Sequence, residues 1–276
     1  MNEIKYKYFI STSSIFIFFV IFFPIFNLIR ITLSFDPLKH NNSKSINYSY
    51  EILSSDNKIL SKLSRKFDVL DNTNSIPFFL KYSFISGEDK RFFNHNGIDL
   101  MGLSRALISN IQSRYFKEGG STITQQVARL IFLNNDLSFQ RKIKEIIISL
   151  VLDLKFSKNQ ILKLYLNNLY LGSGAYGVNE ASQVYFGKLI KELTLSEVAL
   201  IAGLAPAPSI YSPYNNIDLA IKKRNKILKD MYADGYISLD ERNDALKEKV
   251  NLNYQINNKD CLLYTSDAAD DQARGG

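Results

Sequence analysis

The sequence is poor in the side chains that build disulfide scaffolds and zinc sites. It has one cysteine, Cys261, and two histidines, His40 and His95, in 276 residues. A single cysteine excludes an intrachain disulfide framework, and so few soft ligands do not make a zinc site. Tryptophan is absent, but apolar residues still make up 46% of the chain, which excludes wholesale disorder.

Charge is missing from one long stretch near the N-terminus. No charged residue lies between Lys7 and Arg30, and seven of the 19 phenylalanines fall in the first 26 residues. A helix over this stretch would be about 33 Å long, which is enough to cross a bilayer core. We expect an uncleaved transmembrane anchor within residues 1–33, because no small-x-small cleavage site follows the apolar run. A cleaved signal peptide is the alternative, and the flanking positive charges do not orient the segment.

The rest of the chain is predicted to be mainly α. Residues 34–72 read as a polar spacer with a short hairpin, whose two extended stretches are split by residues 54–57. Residues 73–250 form the main domain. Its clearest helical pattern is the apolar series Ile143, Ile146, Ile147, Leu150, Val151 and Leu154.

Local signals mark where several helices begin and end. Capping boxes that start at Ser157, Thr194 and Ser238 predict three helix N-termini. Pro206 predicts the end of the helix that follows Thr194. Gly235 predicts the end of a helix over residues 219–234.

The last residues differ in composition from the body. Residues 251–276 are predicted to be a linker remnant and, from about Cys261, a tail that is not native to the rest of the chain. A natural disordered linker is the alternative. The tail from Asp260 carries four Asp and one Arg, so the net charge of +7 understates a body nearer +10.

Residues 88–97, EDKRFFNHNG, form the first segment that could carry chemistry. Paired carboxylates on a helix usually form a solvated face. Glu88 and Asp89 are instead followed by Phe92 and His95. A carboxylate among apolar neighbours can act as a general acid or base.

Two further polar segments have two readings each. In residues 119–126, GGSTITQQ, Thr122 and Gln125 fit a capping box, while the glycines and hydroxyls also fit an anion cradle at a helix start. In residues 141–145, RKIKE, an exposed ion pair is the default, and a cation site for a diphosphate is the alternative.

Nucleic acid and dinucleotide binding are not supported. Residues 172–177, GSGAYG, fit the G-x-G-x-x-G pattern, but a helical pattern precedes them where a dinucleotide fold needs a strand. The basic residues are dispersed rather than clustered.

Five segments, in order, resemble the motifs of the peptidoglycan glycosyltransferases of glycosyltransferase family 51. These are the polymerising domains of class A penicillin-binding proteins and the monofunctional transglycosylases. The segments are EDKRFFNHNG at 88–97, GGSTITQQ at 119–126, RKIKE at 141–145, ILKLYLN at 161–167 and LAPAPSIYSP at 204–213. Two positions depart from the pattern: Lys163 stands where many relatives have Glu, and Leu137 where an Arg that helps to hold the donor diphosphate is expected.

The resemblance implies a lysozyme-like helical glycosyltransferase domain behind a single N-terminal transmembrane helix, with a cleft beside the membrane. The implied reaction polymerises lipid II into β-1,4-linked glycan by inverting transfer and releases undecaprenyl diphosphate. Glu88 is the implied general base, and Glu145 is the second catalytic residue. The implied substrate-binding residues are Asp89, Phe92, His95, Arg105, Ser121, Thr122, Gln125, Gln126, Arg129, Arg141, Lys142 and Asn167.

The resemblance also implies cofactors, partners and location. No covalent cofactor is required, and a divalent ion, Mg²⁺ or Mn²⁺, could add to the cations near Glu145. The implied partners are lipid II, the growing glycan strand, the bilayer, a fused or separate transpeptidase and other wall-synthesis proteins. The location is the bacterial plasma (inner) membrane, with a cytoplasmic N-terminus and an extracytoplasmic, periplasmic domain.

Two alternative functions remain open at this point, an inactive wall-synthesis scaffold and a lysozyme-like glycan hydrolase. The odd tail favours truncation of a longer bifunctional enzyme.

Overall fold

The computed structural model describes residues 22–34, 48–53, 59–65, 76–113, 120–133 and 138–253. Most of the predicted anchor, Leu137 and the unusual tail from Cys261 lie outside these residues. The chain divides into two compact units, the first made of residues 1–44 and 91–165 and the second of residues 45–90 and 166–276.

Most of the described residues are helical, as the sequence predicts. The helices are α1 (Phe23–Ser34), α2 (Phe78–Glu88), α3 (Leu100–Ser113), α4 (Ile123–Phe132), α5 (Phe139–Lys155), α6 (Lys158–Asn168), α7 (Val178–Phe186), α8 (Leu195–Leu204), α9 (Pro208–Tyr211), α10 (Ile217–Ala233) and α11 (Leu239–Lys247). Short 3-10 turns occupy Phe92–Asn94 and Ile190–Glu192, and two strands, β1 (Tyr48–Leu53) and β2 (Ile59–Arg65), complete the described elements.

In the first unit, α5 packs against both α1 and α4. The contacts follow from side chains four residues apart, which share one face of a helix. Ile148 and Leu152 on α5, and Ile123 and Val127 on α4, are completely buried. The core of this unit therefore lies along α5, the helix that carries the third motif.

The predicted anchor stays a prediction. Helix α1 covers only its last residues, and none of the helices in the described ranges has the length and apolarity needed to cross a bilayer.

In the second unit, α2, α8 and α10 pack against one another. Leu80 and Phe84 of α2, Leu200 and Ile201 of α8, and Leu228 of α10 are completely buried. These contacts fix α2, whose last residue is Glu88, to a three-helix core.

The predicted hairpin is present in the second unit. Strands β1 and β2 pair antiparallel from Tyr48 opposite Arg65 to Leu53 opposite Ile59, with one irregularity at Ile52. The structure does not describe residues 54–58, which join them.

The predicted helix boundaries are confirmed. Complete capping boxes stand at Thr194 and Ser238, and the Ser157 backbone N–H donates to Gln160 Oε1 at 2.9 Å. Helix α8 ends at Leu204, before Pro206. Gly235, with φ of +77°, follows the end of α10 and adopts the left-handed conformation that glycine tolerates.

Candidate active site

The third motif places a completely buried carboxylate between two cations. Glu145 Oε2 accepts a hydrogen bond from Arg141 Nη1 at 2.7 Å, and Glu145 Oε1 accepts one from Lys142 Nζ. The three residues lie within one turn of α5, so their side chains meet on one face. Because Glu145 is fully buried, the group is not an ordinary solvent-exposed ion pair.

Lys142 joins the third motif to the second. Its ammonium also donates to Ser121 Oγ at 3.0 Å, although the two residues are 21 positions apart. The Lys142 side chain is 38% exposed, so its charge also reaches solvent. One carboxylate and two cations leave the cluster of Arg141, Lys142 and Glu145 with a net positive charge, which suits an anionic ligand.

The second motif is a helix start that contacts the first motif. Thr122 Oγ1 accepts from the Gln125 backbone N–H at 3.1 Å, and Gln125 Oε1 accepts from the Thr122 N–H at 3.0 Å, which completes a capping box. The Thr122 hydroxyl also donates to the Gly97 carbonyl at 2.6 Å. The capping reading of this segment is therefore confirmed, and contact of these two side chains with substrate stays a prediction.

Gln126 lies in the interior beside the fourth motif. It is 8% exposed, and its Oε1 accepts a long hydrogen bond, 3.4 Å, from the hydroxyl of the buried Tyr165.

In the first unit the first motif covers residues 92–97, where Phe92, His95 and Gly97 are buried and the other three residues are exposed. Phe92 is completely buried and meets the His95 ring edge-on, with 6.2 Å between ring centroids. Gly97 has a φ of +80° and lies directly against the backbone of Ser149 in α5. A side chain at this position would collide with that backbone, so glycine is required here.

The part of the first motif in the second unit is fixed to α10. Glu88 is half-buried at the end of α2, and Asp89 is buried and caps that helix, with its N–H donating to the Ile85 carbonyl at 2.9 Å. Lys90 lies 3.4 Å from carboxylate oxygens of both Asp230 and Asp234. Asn167, near the end of α6, is half-buried and also belongs to this unit.

Two predicted cations stand apart from these networks. Arg105 on α3 is exposed, and Arg129 in the last turn of α4 is half-buried. Neither has an ion pair within the part of the chain that the structure describes. Their predicted role at a diphosphate stays a prediction.

The motifs did not identify Lys158, the first residue of α6. Its ammonium donates to the His95 carbonyl and to Asp153 Oδ1, each at 2.6 Å. A positive charge in the first turn of a helix interacts unfavourably with the helix dipole. The placement of a lysine there is a sequence signal that other parts of the fold stabilise its charge.

The glycine-rich segment at residues 172–177 is a loop between helices. Helix α6 precedes it and α7 follows, so the strand that a dinucleotide site requires is missing before it. Gly172, Ser173, Gly174 and Gly177 all have positive φ. The rejection of a nucleotide-binding reading is consistent with this arrangement.

The Glu145 cluster does not fit a divalent ion in this arrangement. Cations already occupy both carboxylate oxygens of Glu145. Within the described ranges, no three His, Cys, Asp or Glu side chains come together as a metal-binding group.

Comparison with known proteins identifies the family. The family model described as Transglycosylase matches residues 56–232, which is more than half of the chain. Penicillin-binding protein 1A of Rickettsia bellii is 45% identical over 204 residues, which cover 73% of this chain and 26% of that protein. Penicillin-binding protein 1A of Escherichia coli is 40% identical over 204 residues, which cover 74% of this chain and 24% of that protein.

A solved structure of penicillin-binding protein 1A from Haemophilus influenzae is 25% identical, with a TM-score of 0.44, and covers 75% of this chain and 21% of that chain. The chain spans about a quarter of the length of the curated relatives it matches. The family predicted from the five motifs is confirmed: the chain belongs to the transglycosylase family, the peptidoglycan glycosyltransferases.

Proposed function

We propose that the chain polymerises lipid II into β-1,4-linked peptidoglycan strands by inverting glycosyl transfer and releases undecaprenyl diphosphate. The observation that carries the proposal is the buried Glu145 between Arg141 and Lys142, with Lys142 reaching Ser121. A departing diphosphate gains negative charge in the transition state. Preorganised cations in a partly desolvated site stabilise such charge most effectively.

Glu88 is the general base of the proposed reaction. Its carboxylate takes the proton from the 4-hydroxyl of the acceptor GlcNAc while the hydroxyl oxygen attacks the anomeric carbon of the donor MurNAc. The bond from that carbon to the diphosphate oxygen breaks on the opposite face, so an α-linked donor gives a β-linked product. The anchoring of α2 to α10 supports this role, since a base must be held in a fixed place.

Glu145 acts through its two partners. Its carboxylate holds the Arg141 guanidinium and the Lys142 ammonium in one orientation, and the exposed part of Lys142 is available to the diphosphate. The other predicted substrate-binding residues belong to the same proposal. These are Asp89, Phe92, His95, Arg105, Ser121, Thr122, Gln125, Gln126, Arg129 and Asn167.

We place the enzyme in the bacterial plasma membrane as a single-pass protein with its catalytic domain outside the cytoplasm. The uncharged apolar run between Lys7 and Arg30 supports an anchor, and a lipid-linked substrate requires access to the bilayer. Its proposed partners are the growing glycan strand, a fused or separate transpeptidase and other wall-synthesis proteins. The lysozyme-like form of the fold is likewise part of the proposal.

One assay tests the proposal against its alternatives. Purified protein in detergent is incubated with labelled lipid II, and the length of the glycan product is measured. The wild type is compared with Glu88→Gln and with a control variant, Glu192→Gln, at an exposed site. We expect long strands from the wild type and the control, and none from Glu88→Gln. Absence of polymer from the wild type overturns the proposal in favour of a scaffold, and shortening of preformed glycan indicates a hydrolase.

A further inference from the structure

Lys158 uses its ammonium group to join three parts of the first unit. It donates 2.6 Å hydrogen bonds to the His95 carbonyl and to Asp153 Oδ1, and it lies 4.9 Å from the centroid of the Phe92 ring. The Asp153 side chain is only 6% exposed and the Lys158 side chain 19%. A carbonyl, a carboxylate and an aromatic face thus surround one cation, and each attracts it.

The position of Lys158 in its helix makes these contacts informative. It is the first residue of α6, where the helix dipole disfavours a positive charge. A lysine there would ordinarily extend into solvent. Its burial against Asp153 and His95 means that tertiary contacts outweigh the local preference.

The segment held by Lys158 consists of residues 92–97, and three helices hold it. Lys158 of α6 binds it at His95, the Thr122 hydroxyl at the start of α4 binds it at Gly97, and Gly97 lies against Ser149 of α5. The contacts at Gly97 form at the far end of the segment. Lys158 contacts the other end of the segment, at Phe92 and His95, which follows Glu88 by a few residues in the chain.

We propose that Lys158 is a positioning residue for glycosyl transfer, holding the His95 backbone and the Phe92 ring in the arrangement that the reaction uses. The inference rests on the proposed function, in which residues 88–97 carry the general base Glu88 and belong to the substrate site. Lys158 does not touch the reacting atoms. It acts because a displacement of about 1 Å in a positioned group can lower a rate by up to about 100-fold.

The test uses the full-length chain with Lys158→Met, Lys158→Arg and a control, Lys222→Met, at an exposed site on α10. Methionine keeps an apolar stem over Phe92 but removes the donors. Arginine restores a cation that can reach a carbonyl, a carboxylate and an aromatic face. Polymerisation of lipid II gives kcat and KM, and hydrogen exchange reports the protection of the amides in residues 92–97.

We expect Lys158→Met to lower kcat by about tenfold or more and to keep KM within about threefold of the wild-type value. Hydrogen exchange should become faster in residues 92–97, while the amides of α8 and α10 keep their protection. Lys158→Arg should recover most of kcat, and Lys222→Met should match the wild type. Three results each overturn the proposal: an unchanged kcat in Lys158→Met, unchanged exchange in residues 92–97, or a loss that Lys158→Arg does not restore.

A variant that fails to fold does not end the test. If Lys158→Met is unfolded, Lys158→Gln replaces it, since glutamine keeps one donor for the His95 carbonyl but has no charge for Asp153. An intermediate kcat supports the proposal, and a wild-type kcat overturns it. If wild-type protein makes no polymer, the proposed function fails, while hydrogen exchange still decides whether Lys158 holds the segment.

Discussion

Gly97 occupies a position that no other residue can adopt without strain. Its φ is +80°, and a Cβ atom would lie 2.6 Å from the Ser149 carbonyl oxygen. We expect Gly97→Ala to lower the free energy of unfolding by about 3 kcal/mol, because left-handed backbone and overpacking both cost energy. Urea denaturation measures this change.

Gly174 provides the matched control. Its φ is +75°, but a Cβ atom added there would have no neighbouring atom within 4 Å. Gly174→Ala should therefore cost only about 1 kcal/mol, from the left-handed backbone conformation alone. Equal losses in the two variants would show that contact with Ser149 contributes nothing.

Tyr185 couples the stability of the second unit to alkaline pH. Its buried hydroxyl donates to the Leu171 carbonyl at 2.9 Å, and burial raises the pKa of its phenol above the ordinary 10.0, partly offset by hydrogen bonds with Ser173 and Ser212. The folded state therefore keeps a proton that the unfolded chain loses. The resulting stabilisation is complete below the unfolded pKa and is lost as pH rises through the folded pKa.

We expect the thermal midpoint of the wild type to fall more steeply above about pH 10 than that of Tyr185→Phe. At neutral pH the variant should be less stable by about 1 kcal/mol, because the Leu171 carbonyl loses its donor. Tyr236, whose pKa is raised chiefly by burial, is present in both proteins and cancels in the comparison. Parallel pH profiles would contradict the assignment to Tyr185.

At the scale of the helices, α4 begins with a cap that also makes a tertiary contact. Thr122 caps α4 and donates to the Gly97 carbonyl, whereas Ser238 caps α11 through its own helix. We expect Ser238→Ala to cost about 1 kcal/mol and Thr122→Ala about 2 kcal/mol, since the latter also leaves a carbonyl without its donor.

Chemical denaturation of the two cap variants gives this difference directly. Thr122→Ser keeps both hydrogen bonds and should stay close to the wild type. If Thr122→Ala and Ser238→Ala lose the same amount, the bond to Gly97 adds no stability.

The helices could be predicted from sequence because their signals are local. A capping box spans four residues, so Thr194 and Ser238 reveal a helix start without any knowledge of the fold. The networks of the site could not be predicted in this way. Lys158 meets His95 across 63 positions and Thr122 meets Gly97 across 25, and such pairs form only when helices pack.

Helix α5 shows a subtler limit of sequence patterns. The apolar series predicted the helix correctly, yet Leu150 is 40% exposed and Leu154 is 85% exposed, while Glu145 and Ser149 are completely buried. Periodicity identifies a helix, but it does not identify the covered face when both faces are apolar. Glu145 faces inward because it pairs with Arg141 and Lys142. Ser149 is satisfied within α5, since its hydroxyl donates to the Ile146 carbonyl, and its backbone packs against Gly97.

At the scale of the whole molecule, the first unit exposes many large apolar side chains on α1, α3 and α5. Those at least 40% exposed on these helices are Phe23, Phe26, Leu33, Leu100, Met101, Leu103, Ile108, Ile111, Phe139, Ile143, Leu150 and Leu154. Apolar surface on this scale is typical of a membrane or protein contact. A membrane location of the enzyme predicts that lipid covers part of it.

The absence of tryptophan makes this prediction measurable. Leu103→Trp on α3 and Leu154→Trp on α5 each introduce the single tryptophan of the chain at an exposed site, and Leu239→Trp, 47% exposed in the second unit, is the control. In vesicles that contain brominated lipids, we expect quenching and a blue-shifted emission at positions 103 and 154, because indole rings settle at the membrane interface. Position 239 should keep the emission of an indole in water. If positions 103 and 154 resemble position 239, these helices face solvent and the proposed membrane contact of the enzyme rests on the predicted anchor alone.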